Sequence, residues 1–484
     1  MKVYDHLFIG GEWVKPAGDR LLEVISPATE EPVGSVPEAE AADVDAAVAA
    51  ARSAFDQGPW PRLEAGERAA ALDRLSAAIN GRAEEFAQTI TTEVGSPIGF
   101  SRMGQVLGAT MVLDYYAGLA RGTAWEEIRP GMLGPALVRR APVGVVAAIV
   151  PWNVPLYVTM LKLAPALAAG CSVVLKPAPA TPLNGQLLAE AIADVGLPPG
   201  VVNIVPADRE VGEYLVTHPG IDKVSFTGST TAGRRIASLC GERLRRLTLE
   251  LGGKSAAVLL PDVDLATALP AVVGAGLMNN GQACVAQTRI LAPRDRYSEV
   301  ADALVAAVSA MKVGDPLDEA TDIGPLVSAA QRDRVEGYLA AGLAEGAKAA
   351  LGGGRAEQFD KGWYVEPTVF VDVNNKMRIA QEEIFGPVLS VIGYGDVDEA
   401  VAIANDSRYG LSGSVWTADI DTGLDVARRI RTGTFNVNTF MLENCVPFGG
   451  YKDSGLGREL GPEGLAAYVE YQSVNLPAGW APPA

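Results

Sequence analysis

From Ala141 onward the chain alternates apolar runs of strand length with longer stretches of helical periodicity, and this alternation restricts the fold more than any other feature. Strands separated by helices can pair only through crossovers, so they build parallel sheets with helices on both faces. Val143–Val150 is apolar almost throughout, as a strand buried on both sides requires. Ser172–Leu175, Val201–Val205, Lys223–Phe226 and Leu247–Leu251 continue the series, which stops at Gly252-Gly253. Helices are expected over Pro182–Val195, closed by Gly196 and Pro198, and over Thr231–Leu239 after a Gly-rich turn. Five strands crossing through helices describe an α/β, Rossmann-like dinucleotide-binding half.

At 484 residues the chain exceeds what one core can organise, so two or three domains are expected. Ala41 to Leu119 reads as largely helical and packs beside the first sheet. A second α/β unit starts near Lys254, with strands at Ser255–Leu260 and Val388–Ile392 and helices at Tyr297–Met311 and Asp322–Glu345. Two segments fit neither unit. Thr123–Arg140 carries the turn signal Arg129-Pro130-Gly131 between extended runs and reads as a hairpin, and Tyr468–Leu476 reads as a strand near the C-terminus. The final Pro477–Ala484, rich in Pro and Ala, is expected to fray.

A net charge of −18 excludes the basic footprint of a nucleic-acid surface. Four cysteines are too few for a disulfide framework and fit a reducing compartment. The N-terminus lacks the apolar core of a signal peptide, and the apolar stretch Ala141–Pro177 is interrupted by Pro151, Pro155 and Pro165 and contains Asn153 and Lys162. A cytoplasmic protein without a membrane span is expected. The only histidines are His6 and His218, so no multi-histidine metal site can form and no metal is expected.

Cys284 lies in Gly281-Gln282-Ala283-Cys284, and Glu250 lies 34 positions upstream in Glu250-Leu251-Gly252-Gly253-Lys254-Ser255. A thiol on a small-residue loop, together with a carboxylate on a Gly-Gly turn, suits covalent catalysis, in which the thiolate attacks and the carboxylate activates water. Alone, such a cysteine is more often a buried small hydrophobe. Its neighbours along the chain change that reading.

Pro151-Trp152-Asn153, Phe226-Thr227-Gly228-Ser229-Thr230, Glu382-Glu383-Ile384-Phe385-Gly386-Pro387 and Pro447-Phe448-Gly449-Gly450-Tyr451-Lys452 join the Glu250 and Cys284 motifs. In this order and spacing, the six motifs resemble the aldehyde dehydrogenase superfamily from about Leu7 to about Pro477. The resemblance implies a cofactor-binding domain over 1–122 and 142–253, a catalytic domain over 254–450, and a small β oligomerisation arm over 123–141 with a C-terminal tail over 466–484. In the family such a hairpin and tail pair with a neighbouring subunit, although an edge hairpin on the same chain also fits. A homodimer or homotetramer is implied.

By the same resemblance, Cys284 attacks an aldehyde to give a thiohemiacetal, and the Asn153 amide with the Cys284 backbone N–H holds its oxyanion. Oxidation by NAD leaves a thioester, which water activated by Glu250 hydrolyses. Members that pass the acyl group to coenzyme A lack that carboxylate, so a free acid is the implied product. Lys162 and Glu459 match positions proposed to pass protons and equally suit a structural ion pair. Gly228 and Ser229 open a helix towards the pyrophosphate, Lys176 reaches the adenosine ribose, and Glu383 binds the nicotinamide ribose with Phe385 beside it. Ile149, Val150, Pro151, Trp152, Leu251 and Gly252 line the nicotinamide half. Arg289 is scaffold.

The chain departs from the pattern at Pro179, where NAD-preferring members commonly carry a glutamate, and at Val205-Pro206-Ala207-Asp208, which lacks a usual glycine. NAD is expected with NADP possible, and Arg234 or Arg235 could add charge near the ribose. Val154, Val158, Leu161, Val285 and Phe448 are expected to line an apolar acyl pocket. Leu161 replaces the arginine that pairs a distal carboxylate in members oxidising succinic semialdehyde. Cys171 and Cys445 read as packing cysteines. The implied activity is oxidation of an uncharged, apolar aliphatic or aromatic aldehyde to its acid. A cysteine hydrolase would share Cys284, Asn153 and Glu250 but leave Lys176, Gly228-Ser229 and Glu383 unexplained.

Overall fold

The computed structural model describes residues 2–480. Expected fraying at residues 481–484 lies outside the described residues. An eight-stranded sheet runs in the order Gly455–Leu456, Arg246–Glu250, Lys223–Thr227, Val145–Ile149, Ser172–Lys176, Val202–Ile204, Leu7–Ile9, Glu12–Val14. Its five middle strands are parallel, and the additions at both ends are antiparallel.

Val145–Ile149 is buried at every position, and its residues divide between two cores. Val146 and Ala148 pack with the helices Ala65–Gly81, Gly108–Gly122, Pro155–Ala169 and Leu183–Val195. Val145, Ala147 and Ile149 pack against Ala41–Asp56 and Thr230–Gly241 on the opposite face. This two-residue alternation explains why the strand is apolar throughout. The register places Ile149 opposite Lys176 and Phe226, and Thr227 opposite Glu250. Four strand ends therefore share one edge, the carboxyl edge where open α/β sheets bind ligands.

The second sheet orders Lys348–Leu351, Thr368–Val371, Val388–Tyr394, Arg289–Pro293, Ala256–Leu259, Gly413–Trp416, Asn436–Val437. It is parallel apart from its antiparallel first strand. The helix expected over Asp322–Glu345 is shorter, Ala329–Ala344. Gly324-Pro325 keeps its first residues extended, and Ser328 caps the start by accepting from Gln331 N at 3.2 Å.

Sequence periodicity misses two features. Lys2–Val3, Pro32–Pro37 and Leu21–Ile25 form a small sheet of short strands, and Ser101–Leu107 is π-helical within the long helical segment. The hairpin and the tail strand join in one three-stranded sheet. Val469–Asn475 pairs along its full length with Ala136–Pro142 of the same chain, and Glu126–Arg129 takes the other edge. Seven consecutive backbone pairs in one chain satisfy that tail strand locally. Among the described residues, no helix is long and apolar enough to cross a membrane.

Candidate active site

Cys284 follows the helix Leu265–Leu277 through a tight turn. Asn279 and Asn280 adopt left-handed backbone with φ of 51° and 61°, a conformation that Asn tolerates better than most residues. Gly281 follows at φ 72°, where an added Cβ would lie 2.1 Å from the Gly386 carbonyl oxygen. Only glycine fits there, and the chain reversal aims Cys284 into a cavity of about 580 Å³.

Asn153 comes from the loop after Val145–Ile149, where Pro155 opens the next helix. Its side-chain amide donates to the Gln282 carbonyl at 2.8 Å, which ties the loop to the Cys284 turn. Glu250 ends its strand and is buried, with one carboxylate oxygen unpartnered. Burial first, and then the charge of Glu459, push its pKa up to about 8. Burial likewise pushes the Cys284 thiol well above its usual range, with the Glu250 charge as the second cause.

Asn153, Glu250 and Cys284 line the cavity together with all five expected acyl-pocket residues, Val154, Val158, Leu161, Val285 and Phe448. Pro151, Trp152, Gly228, Ser229, Gly252, Glu383 and Phe385 line its other end. Ile149, Val150 and Leu251 are buried at the adjoining strand ends. Lys176 is buried, with its ammonium 3.3 Å from the Pro177 carbonyl, whereas Pro179 is exposed. Desolvation lowers Lys176 to about 8, opposed by Asp208 and Glu38.

Lys162 and Glu459 stand behind the cavity as a buried ion pair at 2.6 Å. The ammonium also donates to Thr227 Oγ1 at 2.7 Å, and Glu459 Oε2 is unpartnered. Glu383 accepts from Gly253 N at 2.9 Å, and burial raises its carboxyl to about 7. Gly253 permits close approach of the turn: an added Cβ would sit 2.3 Å from the Cys284 carbonyl. Phe385 has φ 63°, a strained value for a non-glycine residue. Trp152 packs edge-on to its ring at 5.3 Å, and Gln331 donates to its carbonyl at 2.7 Å.

The outer wall contains residues the sequence reading did not identify: Phe100, Met103, Met111, Tyr157, Phe440, Met441 and Leu442. Met103 belongs to the π-helical segment, and no periodicity signals that its side chain meets a cavity built 180 residues downstream. Gln331 and Arg334 also line the cavity, and Arg334 donates to the Glu383 carbonyl at 2.6 Å. The packing role expected of Cys445 does not hold. Cys171 is buried, but Cys445 is exposed, because its segment Met441–Pro447 is a surface loop. Arg234 and Arg235, offered as possible ribose-side cations, are paired with Asp453 and Glu213 respectively.

The Aldehyde dehydrogenase family model matches residues 13–474. Geranial dehydrogenase of Castellaniella defragrans is 52% identical, over 98% of this chain and 99% of the relative. A Mycobacterium tuberculosis aldehyde dehydrogenase, solved with NAD+, superposes with a TM-score of 0.98 at 52% identity and 99% coverage of both chains. A mutant of Pseudomonas syringae aldehyde dehydrogenase C, complexed with NAD+ and octanal, gives 0.95 at 43% identity, covering 99% of this chain and 98% of that one. With the match spanning almost the whole length, the chain belongs to the aldehyde dehydrogenase family, and it is an aldehyde-oxidising enzyme.

Proposed function

We propose that this enzyme oxidises uncharged, apolar aliphatic or aromatic aldehydes to carboxylic acids with NAD. The observation that carries the reading is the single cavity shared by Cys284, Asn153 and Glu250, with apolar walls on one side and Glu383 and Phe385 on the other. The geranial and octanal in the relatives' names are aldehydes of this apolar class.

The residues fit the dinucleotide. The helix Thr230–Gly241 presents its N-terminus at the exposed Ser229, where free backbone N–H groups suit a pyrophosphate. Lys176 has one long contact and capacity for ribose hydroxyls. Glu383 can exchange its Gly253 partner for hydroxyl donors. When bound, NAD supplies the two-electron acceptor. With Arg234 and Arg235 already paired and Asp208 and Glu38 acting on Lys176, little positive charge remains for a 2′-phosphate.

The Cys284 thiol loses its proton to solvent as its sulfur bonds to the aldehyde carbon, the carbonyl π pair moves onto oxygen, and the resulting oxyanion is met by the second N–H of Asn153 and the Cys284 backbone N–H. Oxidation leaves an acyl thioester on Cys284. Glu250 takes a proton from water, whose oxygen adds to the thioester carbon; the carbon–sulfur bond breaks, releasing acid and restoring the thiol. Lys162 and Glu459 shape the field around Glu250 and give its proton an onward acceptor. Exposed Ile128, Met132, Leu133 and Tyr471 on the hairpin and tail support association of copies into a homodimer or homotetramer. Four free cysteines support a reducing, cytoplasmic setting.

The decisive experiment follows NADH at 340 nm with hexanal and NAD. Wild-type enzyme should reduce NAD and release hexanoate in equal amounts, whereas Cys284→Ala should do neither. Turnover by Cys284→Ala would overturn the reading.

A further inference from the structure

Asn279 lies outside the cavity lining, is buried, and hydrogen-bonds to both loops of the site. Its side-chain amide donates to the main-chain carbonyl of Asn153 at 2.9 Å and to that of Gln282 at 3.2 Å. The Gln282 carbonyl is also the acceptor for the Asn153 side chain, at 2.8 Å. One carbonyl therefore gathers both amides, and Asn153 is gripped at its backbone and at its side chain. Ser96, itself buried, donates to Asn279 Oδ1, which fixes which end of the amide points at the carbonyls. Gln105 Nε2 adds a weaker contact to the Asn153 carbonyl at 3.4 Å. These groups come from segments far apart in sequence and converge on two main-chain carbonyls, that of Asn153 and that of Gln282 in the nucleophile loop.

The backbone conformation supports the same assignment. Asn279 is held at φ 51° and ψ 42°, in the left-handed region, where the chain could turn more readily with glycine. Glycine would turn the chain but supply no amide. Buried hydrogen bonds among fixed partners orient a group tightly, because any displacement leaves polar atoms unpaired.

We infer that Asn279, locked by Ser96, is a positioning residue that sets the angle of the Asn153 amide relative to Cys284, and so the strength of the oxyanion site. The inference rests on the proposed roles of Cys284 and Asn153. It predicts an effect on reactions that develop an oxyanion and none on the thiol's intrinsic reactivity.

Asn279→Gly keeps the left-handed turn and removes the amide; Asn279→Asp keeps the shape and turns a donor into an acceptor facing two carbonyls. Each variant is assayed for NAD-coupled hexanal oxidation, for 4-nitrophenyl acetate hydrolysis without cofactor, and for alkylation of Cys284 by iodoacetamide, a displacement that forms no oxyanion. Both acyl reactions should fall at least about tenfold in kcat, while alkylation stays within about twofold of wild type. Adding Asn279→Gly to Asn153→Ala should cost less than about twofold more, since the brace then has no donor to orient. Alkylation falling as far as acyl transfer, unchanged acyl transfer, or a multiplicative double variant would each overturn the inference. Should Asn153→Ala itself keep wild-type acyl transfer, the oxyanion role of Asn153 fails instead. If Asn279→Gly does not fold, Ser96→Ala, which only unlocks the amide, must show the same split between acyl transfer and alkylation.

Discussion

Replacing Glu250 with Gln should separate the two halves of the reaction, and the structure sets the pH range in which to look. The Glu250 carboxyl is pushed to about 8 from an ordinary 4.5, by burial and by Glu459. A general base works only when ionised, so about a tenth of the enzyme is competent at pH 7 and about nine-tenths at pH 9. Where hydrolysis limits turnover, kcat should rise about tenfold between pH 7 and 9. An unperturbed carboxyl would be ionised throughout and give a flat profile. Glu250→Gln should remove the rise and slow acid release by about 10²- to 10⁴-fold, leaving a burst of NADH equal to the active sites. The raised Cys284 thiol also titrates upward, so the two groups must be read on different phases. Stopped-flow burst rates report thioester formation, and steady-state acid release reports Glu250. A flat kcat profile in the wild type, or full steady-state turnover in Glu250→Gln, refutes the assignment.

Hexanal should exceed succinic semialdehyde in kcat/KM, because the acyl-pocket residues Val154, Val158, Leu161, Val285 and Phe448 offer the distal carboxylate no cation; Leu161→Arg should narrow the gap, and equal values in the wild type would contradict the apolar reading. Among n-alkanals, kcat/KM should climb with chain length until the tail reaches Met103, Met111 and Met441, each CH₂ adding about 0.8 kcal/mol at most; a plateau at butanal would place the tail elsewhere. NAD should be preferred with measurable NADP use, since Pro179 neither binds the ribose nor repels a phosphate; NADP favoured more than about tenfold, or about 1.4 kcal/mol, would reverse this. Pro179→Glu should sharpen the NAD preference in the same assay.

Much of this architecture is legible because buried parallel strands are constrained on both faces. Val145–Ile149 and Ser172–Lys176 must be apolar at nearly every position, so they stand out without knowledge of their partners. Cys284 and Glu250 are legible for a related reason: each needs glycine-rich backbone nearby, and Gly281 and Gly253 pack against other chain segments too closely for a side chain. What escapes depends on distant contacts. The two- and three-residue strands near the N-terminus gain their definition from partners such as Ile204 and Ser35. The outer wall draws on Met103 and Met441, which are separated by most of the chain and carry no local signature. Asn279 is hardest of all to see, since its role lies in hydrogen bonds to backbone atoms that no side-chain pattern encodes.

The buried pair of Lys162 and Glu459 shows why structural and catalytic roles cannot be cleanly divided in such a site. Placing both charges at 2.6 Å inside the core costs desolvation that their attraction only partly offsets. Removing either partner alone would leave the other charge buried and unpaired, a loss of about 3–5 kcal/mol, so loss of activity in such a variant says little by itself. Yet the two act on Glu250 in opposite directions, Glu459 raising its pKa and Lys162 lowering it. Glu459 Oε2 and one Glu250 oxygen are both buried and unpartnered, so the two carboxylates meet the same desolvation. The same burial that makes the pair expensive raises the Glu250 carboxyl, so the cost in stability and the shift in pKa have one physical cause.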